Sequence, residues 1–174
     1  MKEVIKRYIG AFLTILLIAA FILKVVDIHR DGTSVRDGDY YLELRAEPNV
    51  MWDVTWAAEQ EHSRLHFWAR NNEENQVFSI KNEGDGKCYI LYGNKGLCVG
   101  VADDGLHVEL QTFEGKESQY WYFERINQYF IVKNSDSGLY VRAIKWGDEE
   151  FDSMVLAEYE GDEQMFQYVL TKMN

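Results

Sequence analysis

The chain has 174 residues, a net charge of −11 and 14% aromatic residues, enough for one domain with a substantial core and too little for two. Lys2, Lys6, Arg7, Lys24, Arg30 and Arg36, with Glu3, Asp27 and Asp31, fall before residue 37, so the remainder holds 12 basic against 26 acidic side chains, a net of −14. So acidic a surface repels phosphate backbones, which argues against nucleic acid and anionic lipid surfaces as partners and keeps this part of the chain in water.

Residues 9 to 23, IGAFLTILLIAAFIL, form an apolar run behind three basic residues, and the run reaches Val25-Val26 if Lys24 snorkels. The run reads as one N-terminal transmembrane helix, and the positive-inside rule weakly favours a cytoplasmic N-terminus. A buried core helix would show a polar face, and here only Thr14 is polar. Two fates stay open, a cleaved signal peptide with secretion or an uncleaved signal-anchor in a single-pass protein. The following LKVVDIHRDG has neither an A-x-A site nor a lipobox cysteine, which favours the anchor. Residues 1 to 36 are thus expected to be tail, helix and short stalk, and residues 37 to 174 the extracytoplasmic domain.

From residue 39 onward the runs are short and punctuated by turn residues: DYYLELRA, QVFSIKN, KCYILYG, LCVGV, HVELQTF, YWYFERI, YFIVKN, LYVRAI and MVLAEY. Strands recurring every ~8–12 residues predict an all-β barrel or sandwich. Cys88 and Cys98 flank a run turning at Gly93-Asn94-Lys95-Gly96. A hairpin folded about Gly93 would set the sulfurs opposite each other, making this pair a disulfide candidate that an oxidising exterior permits and that would add about 3 kcal/mol. The alternative is two small buried hydrophobic residues.

Gln76-Val77-Phe78 returns as Gln119-Tyr120-Trp121 and as Gln164-Met165-Phe166, at intervals of 43 and 45 residues, the mark of an internal repeat. In that register the runs Val50 to Val54, Leu97 to Val101 and Leu139 to Ala143 become equivalent. One such unit cannot bury its own aromatic face, whereas three around an axis close a barrel and hide their edges. Phe78, Trp121 and Phe166 are then expected in the core, with each glutamine amide tying a loop backbone.

The three Gln-x-aromatic steps, with GLCVGV in the middle repeat, resemble the ricin-type β-trefoil lectin domain, whose repeats end in Q-x-W, over about residues 37 to 174. The resemblance implies a β-trefoil of three repeats and a sugar site built from an Asp, an aromatic about fifteen residues on and a closing Asn-Gln pair. Carried over, repeat one keeps the set: Asp53, Trp68 at the stacking position, and Asn75-Gln76, with His66 beside Trp68 on one strand face. An exposed carboxylate would accept from vicinal hydroxyls, the indole would cover the C–H face of a galactose-like pyranose, and the amides would fix register.

Repeats two and three depart from the pattern. Gly100 and Arg142 replace the Asp, Gln111 takes the second stacking position, only Tyr159 could serve in the third, and Ser118 and Glu163 replace the Asn. One site at most is expected. Asp53 and Trp68 can also be read as a turn aspartate and a core tryptophan in a trefoil that has lost its sugar.

His62 and His66 lack a third metal ligand nearby, and Asp103-Asp104-Gly105 and Glu83 to Gly86 are turn-like rather than calcium loops. No nucleophile elbow, P-loop, dinucleotide fingerprint or zincin motif occurs, so no enzyme, metal or cofactor is expected. Two readings remain: a membrane-anchored lectin-like module binding a glycan or wall polysaccharide, and a β-trefoil interaction module with a protein partner.

Overall fold

The structure is a computed structural model that describes residues 35–55, 60–93, 96–145, 151–161 and 163–173. The apolar run of residues 9 to 23 lies outside the described residues, among which no helix is long and apolar enough to cross a membrane.

Twelve strands account for most of these residues: β1 (Gly38–Leu44), β2 (Val50–Asp53), β3 (His66–Ala69), β4 (Phe78–Gly84), β5 (Lys87–Tyr92), β6 (Leu97–Val101), β7 (Val108–Thr112), β8 (Tyr120–Ile126), β9 (Tyr129–Asn134), β10 (Tyr140–Lys145), β11 (Phe151–Ala157) and β12 (Tyr168–Lys172). Six of them pair in a closed antiparallel ring, β1 with β4, β4 with β5, β5 with β8, β8 with β9, β9 with β12 and β12 with β1. The other six form the hairpins β2–β3, β6–β7 and β10–β11. A six-stranded barrel with three hairpins is the β-trefoil arrangement, and ring closure leaves the barrel no free edge.

Alternation along the strands fills the core. In β1, Tyr40, Leu42 and Leu44 point inward, while the hairpins contribute Trp52, Phe67, Val99, Leu110, Val141 and Leu156. Trp52 meets Phe78 and Tyr168 edge-on at 5.8 and 5.6 Å, and Phe67 stacks on Tyr168 at 6.4 Å. Removing a buried ring of this kind costs about 3–5 kcal/mol.

A short 3-10 turn precedes the last strand of each repeat, at Glu74–Gln76, Glu117–Gln119 and Gln164–Phe166. Two residues past each turn's end stand Phe78, Trp121 and Tyr168, all in the main core, paired on the neighbouring barrel strand with Tyr40, Cys88 and Phe130. The Trp121 indole N–H donates to Val99 O at 2.9 Å, and the Tyr168 hydroxyl to Val141 O at 3.1 Å, the equivalent carbonyl. The third core aromatic is therefore Tyr168, not the expected Phe166, which packs in a separate cluster with Ile131 and Tyr140. Gln164 is exposed, and Phe166 occupies the place that Gln76 and Gln119 hold in the first two turns. The sequence EQMFQY offers aromatics two residues apart, so both face the same way on an extended chain. The barrel register, which the motif does not contain, selects the second.

Cys88 and Cys98 are buried free thiols, the second of the two readings that the sequence leaves open. The hairpin closes with Tyr92 opposite Leu97 and Leu91 opposite Cys98. Cys88 lies three residues further along, roughly 10 Å, beyond the ~7 Å that a disulfide spans between Cα atoms. An odd offset also puts the side chains on opposite strand faces: Cys88 enters the core, where its thiol donates to Trp121 O at 3.3 Å, while β6 turns Val99 inward and Cys98 away. Burial pushes both thiols up to about 12.

Candidate functional site

The first hairpin sets Met51 opposite Trp68, Trp52 opposite Phe67, and Asp53 opposite His66. Trp52 and Phe67 belong to the core, so the alternate residues Asp53, His66 and Trp68 share the other face. Trp68 is 53% exposed and meets His66 edge-on at 6.2 Å. It is a surface ring, not a core tryptophan.

Asp53 differs from its expectation: its carboxylate is only 2% exposed. Its Oδ2 accepts from Asn75 Nδ2 at 2.9 Å and Gln76 Nε2 at 2.8 Å, and its Oδ1 faces His66 Nε2 at 3.1 Å. With the ring proton on Nε2, His66 donates to Asp53 and its Nδ1 accepts from the Thr55 hydroxyl at 3.3 Å. One lone pair of Oδ1 has no partner among the described residues.

The closing pair holds this carboxylate in place. Gln76 also donates to Ala69 O at 3.0 Å and accepts from Asn71 N at 3.0 Å. Asn75 donates to Val54 O at 3.2 Å and accepts from Asn71 Nδ2 at 3.1 Å. The structure thus brings Asp53, His66, Asn75 and Gln76 into one network beside Trp68. It adds Thr55 and Asn71, which sequence reasoning missed because neither occupies a motif position.

The second repeat solves the same geometry differently. Gly100 stands opposite Glu109, and Gln111 opposite Cys98, the places of Asp53 opposite His66 and Trp68 opposite Met51. Gln111 folds back over Gly100, where any Cβ would collide with its Oε1. That oxygen accepts from Gln119 Nε2 at 3.2 Å, and Gln111 Nε2 donates to Val101 O at 2.8 Å and Glu109 Oε1 at 3.0 Å. Gln119 ties the loop through Glu114 N at 2.8 Å and Thr112 O at 2.8 Å, as Gln76 does in repeat one. A side chain of the protein itself fills the second site.

In the third repeat Arg142 reaches Glu163 at 3.5 Å and lies 5.5 Å from the Phe166 ring centre. Tyr140 pairs with Ala157, which places Ala157 where Trp68 stands. Tyr159 packs against Tyr140 and Phe166 at 5.6 and 5.4 Å instead of presenting a free ring.

No group of His, Cys, Asp or Glu among the described residues could hold a metal ion. His62 bonds Glu109 at 2.9 Å and His66 faces Asp53, so the two histidines belong to different repeats' networks. Asp104 is a turn acceptor: backbone N–H groups of His107 and Leu106, both at 2.9 Å, hold its carboxyl well below the usual range, helped by the His107 ring.

No family model and no curated protein matches the sequence. Solved structures do match in fold. A designed 3-fold symmetric protein, ThreeFoil, is similar with TM-score 0.72 at 18% identity, over 79% of this chain and 100% of that one. A Polyporus squamosus lectin, solved with the human-type influenza-binding epitope Neu5Aca2-6Galb1-4GlcNAc, is similar with TM-score 0.65 at 14% identity, over 79% of this chain and 50% of that one. An exo-beta-1,3-galactanase from Clostridium thermocellum gives 0.70 at 18% identity, over 78% of this chain and 30% of that one. The chain therefore spans the designed protein fully but half of the lectin and under a third of the galactanase. These likenesses establish the fold.

Proposed function

We propose that the chain is a carbohydrate-binding, lectin-like module with a single sugar site in repeat one, formed by Asp53, His66, Trp68, Asn75 and Gln76. The observation that carries this reading is the exposed Trp68 ring beside a carboxylate that three N–H groups hold in place. A galactose-like pyranose would lay its C–H face on the indole and donate one hydroxyl to Asp53 Oδ1. The match to the sugar-bound lectin supports the class, and the galactanase match covers too little of that enzyme to suggest catalysis. The apolar run of residues 9 to 23 would tether the module with its domain outside the membrane.

One ring and a few hydrogen bonds against water give a monovalent dissociation constant on the order of millimolar, about 4 kcal/mol. Many tethered copies meeting a repetitive glycan would supply the avidity. The test is a glycan array followed by calorimetry on the full chain in detergent. Because Asp53 is buried, Trp68→Ala is the cleaner probe: binding should vanish and melting should hardly move. Arg142→Ala should alter neither. The burial of Asp53 favours a competing reading, a trefoil whose network is structural and which serves as a protein-interaction module; an array with no bound glycan would overturn the sugar site in its favour.

A further inference from the structure

Trp68 borders two features, not one. Asp53 lies two residues along the hairpin from Met51, the residue opposite Trp68, on the side of the sugar site just proposed. At the other end of the hairpin, where Phe67 and the Val50–Ala69 pair alternate to the face away from Asp53, a cleft of about 160 Å³ opens between them, Trp68 and the turn of Glu47, Pro48 and Asn49. From Asp53 to this pair is three residues of strand, roughly 10 Å, longer than one pyranose ring covers. A sugar stacked on Trp68 and bonded to Asp53 leaves the turn side of the indole and the cleft uncovered.

The turn is built to hold its shape. Asn49 has a left-handed backbone (φ 68), its N–H donates to Glu43 Oε1 at 3.0 Å and its carbonyl accepts from Arg70 N at 2.7 Å. Val50 N donates to Glu47 O at 3.2 Å, closing the turn. Pro48 and Asn49 are exposed. Among the described residues the Glu47 carboxylate and the Asn49 amide have no hydrogen-bond partner. The turn's backbone is fixed in advance and offers a sugar ring an acceptor, a mixed donor and acceptor and a flat pyrrolidine face, so that only side-chain ordering is left as a cost at binding.

The geometry points to a second sugar subsite, formed by Glu47, Pro48 and Asn49 across Trp68 from Asp53, so that the module recognises a glycan of at least two linked residues. This rests on the sugar site in repeat one and extends it in one direction. The neighbouring residue of the glycan lies against Pro48, donates a hydroxyl to Glu47 and exchanges hydrogen bonds with Asn49.

Calorimetry of the full chain in detergent with methyl galactoside, lactose and galactobiose tests it. At least one disaccharide should bind about tenfold tighter than the monosaccharide, the scale of one or two net hydrogen bonds. Asn49→Gly keeps the left-handed backbone and deletes the amide, and Glu47→Gln keeps the shape and deletes the charge. Each should weaken the disaccharide about threefold to tenfold and leave methyl galactoside and the melting temperature unchanged. Equal binding of all three sugars overturns the subsite while the first site stands, as does loss of monosaccharide and disaccharide alike in both variants. If none of the sugars binds, the site in repeat one falls and the subsite falls with it.

Discussion

Repeats one and two face the same polar problem and solve it with different strands. Each closing glutamine must place its amide N–H against an acceptor at the end of the hairpin's first strand. In repeat one the acceptor is Asp53 Oδ2, supplied by β2 itself. In repeat two that position is Gly100, and the acceptor is Gln111 Oε1, folded in from β7. Once the carboxylate comes from β2, the β3 position that corresponds to Gln111, opposite Met51, is released from structural duty and can carry an exposed ring, Trp68. Where Gly100 leaves a gap, Gln111, from the position opposite Cys98, folds in to fill it, and that position carries no surface ring. Whether a surface ring can stand beside the buried network is thus a consequence of which strand supplies one acceptor.

The sharpest way to break this contrast is to remove the acceptor. Asp53→Ala strands the Asn75 and Gln76 N–H donors in a buried network, and should destabilise by about 3 kcal/mol, a fall of roughly 6–12 °C in melting temperature by calorimetry. Asp53→Asn should also lower it, by a smaller amount, since an amide cannot accept all three N–H groups; an unchanged melting temperature would mean that the carboxylate is not buried.

The repeat register is tested by the glutamines. Gln76→Ala and Gln119→Ala each unpair a buried acceptor or donor and should cost about 1–3 kcal/mol, whereas Gln164→Ala, on an exposed residue, should stay within about 0.5 kcal/mol. Chemical denaturation of the three variants separates them, and a Gln164 effect as large as the others would restore Phe166 as the third core aromatic.

Repeat two can be converted toward repeat one. Gly100→Asp alone should destabilise by about 1–3 kcal/mol, because its side chain meets Gln111. Adding Gln111→Ala should recover part of that loss, a non-additivity measurable in a double-mutant cycle.

The smallest effects are chemical. Glu109, mainly through its hydrogen bond, raises the pKa of the His62 ring in the folded protein. The protonated form is therefore favoured by folding: the contribution is full below the unfolded value of about 6.5 and fades as pH rises through the higher folded value. Melting temperatures across this range should show a small rise on the acid side that His62→Ala removes. Cys88 and Cys98, with thiols pushed up to about 12 by burial, should react slowly with a thiol reagent until the protein unfolds, and a reductant should leave the melting temperature unchanged.

Much of this protein is legible in its residue order. Strand alternation, the recurring Gln-x-aromatic step and its spacing specify three β units that cannot bury their aromatics singly, and the coincidence of Asp53, Trp68 and Asn75-Gln76 in one repeat marks where a site could stand. These are local or periodic signals, and the pleat converts them directly into inward and outward faces. Three things depend on which segments meet across the barrel, and only the tertiary structure decides them. The pairing of Tyr168 with Phe130 makes it the third core ring in place of Phe166. The hairpin register separates Cys88 from Cys98. The meeting of β2 with the Glu74–Gln76 turn buries Asp53, because a carboxylate's exposure is set by the donors that surround it, and Asn75 and Gln76 reach it only when the chain closes more than twenty residues later.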